Sequence, residues 1–128
     1  MKKPLLILLL VASQTAFADK IPTSIENLIA ANDTRTHSLE NGELIVRYGR
    51  PEVTLTMVES MLNDICGDYF MNKWKPTTIK KITLLNITRD QGYTINAGGE
   101  ECQKTGSMTY EQDKAYKASI IESAKKFE

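Results

Sequence analysis

Apolar residues recur at steps of three and four from Val58 through Met61, Leu62, Ile65, Cys66, Tyr69 and Phe70 to Trp74. This period places them on one face of a helix, which predicts a long amphipathic helix running from the Gly49-Arg50-Pro51 break to about Trp74, with Pro76 as its limit. Thr56 and Glu59 have the spacing of a capping box for its start. Gly67 interrupts the interior, where glycine costs about 1 kcal/mol relative to alanine. A strand pressing closely on it, bringing Cys102 alongside, or a kink or end of the helix would account for it. Two further helices are predicted. One spans Pro22 to Asn32, with Thr23 and Glu26 as its box and Ile25, Leu28 and Ile29 on one face. The other starts near Thr109 with Gln112 as box partner. Tyr116, Ile120, Ile121, Ala124 and Phe127 line its inner side, and Lys125 and Lys126 complement its dipole.

Elsewhere the pattern is that of strands. Asn41-Gly42 is a strong two-residue hairpin signal, pairing Arg35–Glu40 with Glu43–Tyr48 so that Leu39 faces Leu44 and His37 faces Val46. Glu40 then opposes Glu43, a mildly repulsive pair. Ile79–Arg89 and Tyr93–Ala97 form a second predicted hairpin around Asp90-Gln91-Gly92. Its register sets Ile87 against Ile95, Leu85 against Ala97 and Arg89 against Tyr93. Ile82 and Leu84 have the opposite parity, which requires a bulge near Leu84 or burial on both faces. Gly98-Gly99 bends the chain before Cys102. The expected fold is α+β in the order α-ββ-α-ββ-α: an antiparallel sheet of about four strands with helices packed on one face.

The N-terminus follows a different pattern. Lys2 and Lys3 precede an unbroken apolar run, Leu5–Ala12, and then Ala16-Phe17-Ala18. Charge, apolar stretch and small residues in this order read as a cleavable secretory signal, residues 1–18, cut between Ala18 and Asp19. The run is too short for a spanning helix, which needs roughly 20 apolar residues. Gln14, not cysteine, follows Val11-Ala12-Ser13, so no lipid attachment is expected and no membrane anchor is assigned. The two-lysine start resembles bacterial signals, placing the protein in the periplasm or secreted. Residues 19–128 are read as one globular domain.

Composition narrows the functions. The chain has 16 basic and 16 acidic residues, and loss of Lys2 and Lys3 leaves 14 against 16. Without a basic stripe interleaved with aromatics, nucleic acid is not an expected partner. Export changes the reading of Cys66 and Cys102, the only two cysteines: in an oxidising compartment they pair as a disulfide, worth roughly 4 kcal/mol at most by chain entropy. A redox-active pair would sit as Cys-x-x-Cys. Two cysteines and one histidine without ligand spacing give no metal site, and no cofactor is expected.

Residues able to carry chemistry are few. His37 is the only histidine and lies on a polar segment, leaving a serine or cysteine nucleophile without an evident base. Glu100 and Glu101 follow Gly98-Gly99. As neighbours on an extended segment they would point to opposite faces and not share acid and base roles. Asp90 is the remaining carboxylate candidate. Gly98-Gly99 lacks the spaced glycines and lysine of a phosphate loop. Asn32-Asp33-Thr34 and Asn86-Ile87-Thr88 match the glycosylation triplet, which has meaning only in a eukaryotic host. No catalytic residue is assigned.

Tyr69 and Trp74, with Tyr93 and Tyr48 near predicted loops, are the candidate partner-binding residues, since Trp and Tyr serve as interface anchors. The expected function is non-enzymatic binding of another envelope or secreted protein, as an inhibitor, immunity protein or accessory subunit. A periplasmic carrier of a small ligand or lipid, and a hydrolase using carboxylates alone, are the alternatives.

Overall fold

In the computed structural model, which describes residues 20–128, Asn41 and Gly42 both take positive φ, 51° and 80°. Two left-handed residues in succession match the twist of the strands they join. They connect β1 (Thr34–Glu40) to β2 (Glu43–Tyr48), with Leu39 facing Leu44 and His37 facing Val46 as expected. Glu40 does face Glu43, but Glu43 turns to Thr83, whose hydroxyl donates to it at 2.7 Å. The residues read as an export signal lie outside the described part of the chain.

Two helices precede and follow this hairpin. α1 (Thr23–Ala30) begins without a side-chain cap, its first amides bonding to the Pro22 carbonyl, so the expected Thr23–Glu26 box does not form. α2 (Leu55–Asn72) is capped by Thr54, which accepts from the Met57 amide, rather than by Thr56. Its inner stripe is as predicted: Val58, Met61, Leu62, Ile65 and Cys66 are buried. The helix continues without a break through Gly67, and a Cβ placed there would meet nothing within 4 Å. Neither a helix end nor a pressing strand accounts for that glycine.

The sheet is mixed, not antiparallel, and has five strands in spatial order β1-β2-β3-β4-β5. β3 (Lys81–Leu85) runs parallel to β2, because α2 carries the chain back along the sheet before β3 begins. The amides of Lys80 and Lys81, at the start of β3, donate to the Gly42 carbonyl at 2.7 and 3.2 Å. As a central strand, β3 buries Ile82, Thr83 and Leu84 in succession, so burial on both faces and not a bulge resolves their parity.

β3 and β4 (Gly92–Ile95) form the expected hairpin in a different register: Ile95 faces Ile82, Leu84 faces Tyr93 and Leu85 faces Gly92. Ile95 was expected against Ile87, so the displacement is odd and exchanges the faces of the whole strand. Side chains cause it. The Asn86 amide donates to the Gln91 carbonyl, and its side-chain oxygen accepts from the Gln91 amide at 3.1 Å. Asp90 Oδ1 accepts from Asn86 and Thr88, each at 2.6 Å. Residues 86–91 thus form a closed loop in place of a short turn. Gly92 becomes a strand residue, where a Cβ would fall 2.0 Å from the Leu84 carbonyl oxygen.

Gly99–Thr105 is a short helix, α3, and not an extended segment, and α4 (Tyr110–Glu122) starts with the expected Thr109–Gln112 capping box. The chain ends in β5 (Lys125–Phe127) beside β4, so Lys125 and Lys126 belong to an edge strand and not to a helix terminus. Leu39, Leu44, Val46, Ile82, Leu84 and Ile95 form the buried face of the sheet, beneath the inward residues of α1, α2 and α3. The α+β class holds, with four helices and a mixed sheet among the described residues. Cys66 and Cys102 form a disulfide that ties α2 to α3 within this core, with Cα atoms 4.9 Å apart.

Candidate functional site

Phe70 and Met71 at the C-terminal end of α2, and Tyr110 at the start of α4, are three of the five exposed large apolar side chains among the described residues. The C-cap residue of α2, Lys73, takes the left-handed conformation (φ 45°), and Trp74 folds back beside the helix. Trp74 Nε1 donates to Asp68 Oδ2 at 3.0 Å. Ser24 Oγ of α1 donates to the same oxygen at 2.7 Å, and Asn72 donates to Oδ1 at 3.0 Å. Asp68 therefore fastens α1, the end of α2 and the Trp74 indole through one carboxylate. Tyr69 stands edge-on to Trp74, centroids 5.1 Å apart, and to Phe70 at 5.5 Å. Such edge-to-face pairs add to the burial of the rings.

Outward from Trp74 and Tyr69 the apolar surface becomes exposed. Phe70 is 44% exposed, Tyr110 75% and Met71 84%. Gly106, in the turn between α3 and α4, lets the Phe70 ring lie against it: a Cβ there would be 3.0 Å from the ring. Phe70, Gly106, Met108 and Tyr110 border a groove of about 350 Å³ that also reaches Asp113 and Lys117. Lys117 Nζ lies 3.2 Å from Asp113 Oδ1 and donates to Oδ2 at 3.3 Å. The alignment favours Oδ2, and Oδ1 is buried without a hydrogen bond of its own. The arrangement is an apolar ridge with a partly sheltered ion pair beside it. It offers anchoring contacts and no evident nucleophile.

Of the four residues expected to bind a partner, Tyr69 and Trp74 come together here, half-buried beneath the ridge. Tyr48 does not: it is 5% exposed at the end of β2, and burial, with the Asp64 charge second, pushes its phenol up to about 12. Tyr93 is half-buried on β4, opposite Leu84 and Lys126. Apolar periodicity does not single out Met71, Met108 or Tyr110. Met71 carried a signal, being a large apolar residue off the buried stripe of its helix. Phe70 was counted in the stripe and lies at its exposed margin.

The remaining candidates are dispersed. His37 is exposed on edge strand β1. Asp90 lies before β4, whereas Glu100 and Glu101 begin α3 after it, so the strand separates them. Burial raises the Glu101 carboxyl, and hydrogen bonds from Thr88 and then Asn86 lower that of Asp90. No described helix is long and apolar enough to cross a membrane. The fold and ridge define a disulfide-tied α+β domain with an exposed aromatic surface. No family model, curated protein or solved structure gives a significant match to the chain.

Proposed function

We propose that this chain is an exported, non-enzymatic protein-binding module of the bacterial envelope, acting as an inhibitor, immunity protein or accessory subunit. The observation that carries the reading is the pair Phe70 and Tyr110, two aromatic side chains left exposed along one groove at the end of α2. Exposed aromatic side chains beside a groove are characteristic of contact sites, and aromatic residues are the commonest anchors. The Cys66–Cys102 disulfide supports an oxidising destination. For a carrier, the grooves are open to solvent and partly charged. For a hydrolase, the candidate carboxylates Asp90, Glu100 and Glu101 line none of the grooves found among the described residues.

The test is affinity capture from envelope extract with the wild-type chain and with Phe70→Ala/Tyr110→Ala. A stoichiometric protein retained by the wild type and lost at least tenfold from the double variant is expected. Equal capture by both folded baits would discard the ridge as the contact surface.

A further inference from the structure

Among the described residues nothing packs against the position of Gly67. It lies in the middle of α2, next to Cys66, which points inward to the disulfide, while Gly67 itself faces solvent. It does not have positive φ, and a Cβ would meet no atom within 4 Å. Alanine would therefore fit, and alanine is the better helix former. A glycine here weakens the helix with no compensating contact inside the chain.

Its surroundings supply a reason outside the chain. Asn63, Gly67 and Met71 follow one another at steps of four along α2, and Asp64 lies beside them. With Leu28 of α1 and Ala31 just after that helix they line an open groove of about 490 Å³. Glycine forms the low point between Asn63 and Met71, so a partner's main chain can approach the helix closely. Met71, 84% exposed at one end, and half-buried Leu28 provide apolar contact. The groove's charged lining residues are Asp64 and Asp68, both acidic. Asp68 is already engaged by Ser24, Asn72 and Trp74, whereas Asp64 is exposed.

We infer that the α1–α2 groove receives a basic segment of a partner protein, its backbone crossing α2 at Gly67, an apolar residue on Met71 and a Lys or Arg at Asp64. The inference rests on the protein-binding reading but uses the flank of α2 away from the Phe70–Tyr110 groove.

Two measurements on the full chain test it. Gly67→Ala should raise Tm by about 4 °C while weakening the partner interaction at least tenfold. A purely structural glycine would move both in the same direction. The second is photo-cross-linking in envelope extract with benzoylphenylalanine replacing Ala31 in one protein and Tyr110 in another. The expected result is an adduct from position 31 whose linked partner peptide is rich in Lys or Arg and which is lost on adding Gly67→Ala. Several results overturn the inference while leaving the protein-binding reading intact: an adduct from position 110 alone, a linked peptide that is acidic, or an adduct undiminished by Gly67→Ala. A cross-link within one chain or between two copies also overturns it. No adduct from either position overturns both readings.

Discussion

Tyr48 holds its proton more tightly in the folded protein than in the unfolded chain, mainly because its ring is buried and secondarily because Asp64 is negative. The resulting stabilisation is complete below pH 10 and is lost as pH rises from 10 towards about 12, where the folded phenol ionises. Its size is on the order of 2 kcal/mol. An ultraviolet titration should show one of the five tyrosines ionising last, together with alkaline unfolding, and Asp64→Asn should bring that late step to lower pH. Asp68 offers a second single-residue test. Asp68→Ala removes the acceptor for Trp74, Ser24 and Asn72 and should cost about 2 kcal/mol in denaturant unfolding. Because Trp74 is the only tryptophan, its fluorescence should shift to the red in the folded variant.

Among the elements, α2 and α4 are held by different means. α2 buries five side chains and is further tied to α3 by the Cys66–Cys102 bond. Replacing both cysteines by alanine should lower stability by roughly 2–4 kcal/mol, measured by urea unfolding, with most of the loss arising in the unfolded chain. α4 has no buried residue, and its half-buried Tyr116, Ile120 and Ile121 give it only a shallow seat. Its start depends on the Thr109–Gln112 box, where the Thr109 hydroxyl accepts from the Gln112 amide at 3.2 Å and Gln112 accepts in return at 3.0 Å. Thr109→Ala should cost about 1 kcal/mol and reduce helical circular dichroism before the main unfolding transition. Local signals located this helix start because both partners of the cap lie within one turn. The same reasoning chose Thr56 for α2, where Thr54 caps instead. Two threonines two residues apart offer competing starts, and packing of the helix on the sheet selects between them.

At the scale of the molecule, the parallel pairing of β2 and β3 places the most buried strand between a helix crossover and a hairpin. Hydrogen exchange should therefore be slowest in β2 and β3 and faster in the edge strands β1 and β5, and fastest of the strands in β5, which has only three residues. Comparable protection of β5 and β3 would contradict this ordering. The C-terminal strand also explains Gly92: besides the Leu84 carbonyl, a Cβ there would meet the Phe127 ring at 2.9 Å. Gly92→Ala should thus separate β4 from both neighbours, giving a loss of folded yield far beyond that of an ordinary surface change.

The amino-acid sequence by itself determined the features whose partners are close along the chain. These are the buried stripe of α2, the β1–β2 turn and its register, the cap of α4 and the α+β class. In each, spacing and turn chemistry act within a few residues, so no distant contact is needed to decide them. Tertiary structure alone decided the rest. β3 could join β2 in parallel only because α2 returned the chain to the same end of the sheet. Asn86 and Gln91 replaced a short turn with a longer side-chain-closed loop anchored on Pro51 and Val53, which displaced the second hairpin's register by an odd number of residues. β5 exists because β4 left an edge beside it. The exposure of Phe70, Met71 and Tyr110, and the bare surface at Gly67, follow from which neighbours arrive and which do not. A residue's type gives its capacity for contact; the packing of segments far apart in sequence determines whether that contact is used inside the molecule or left at its surface.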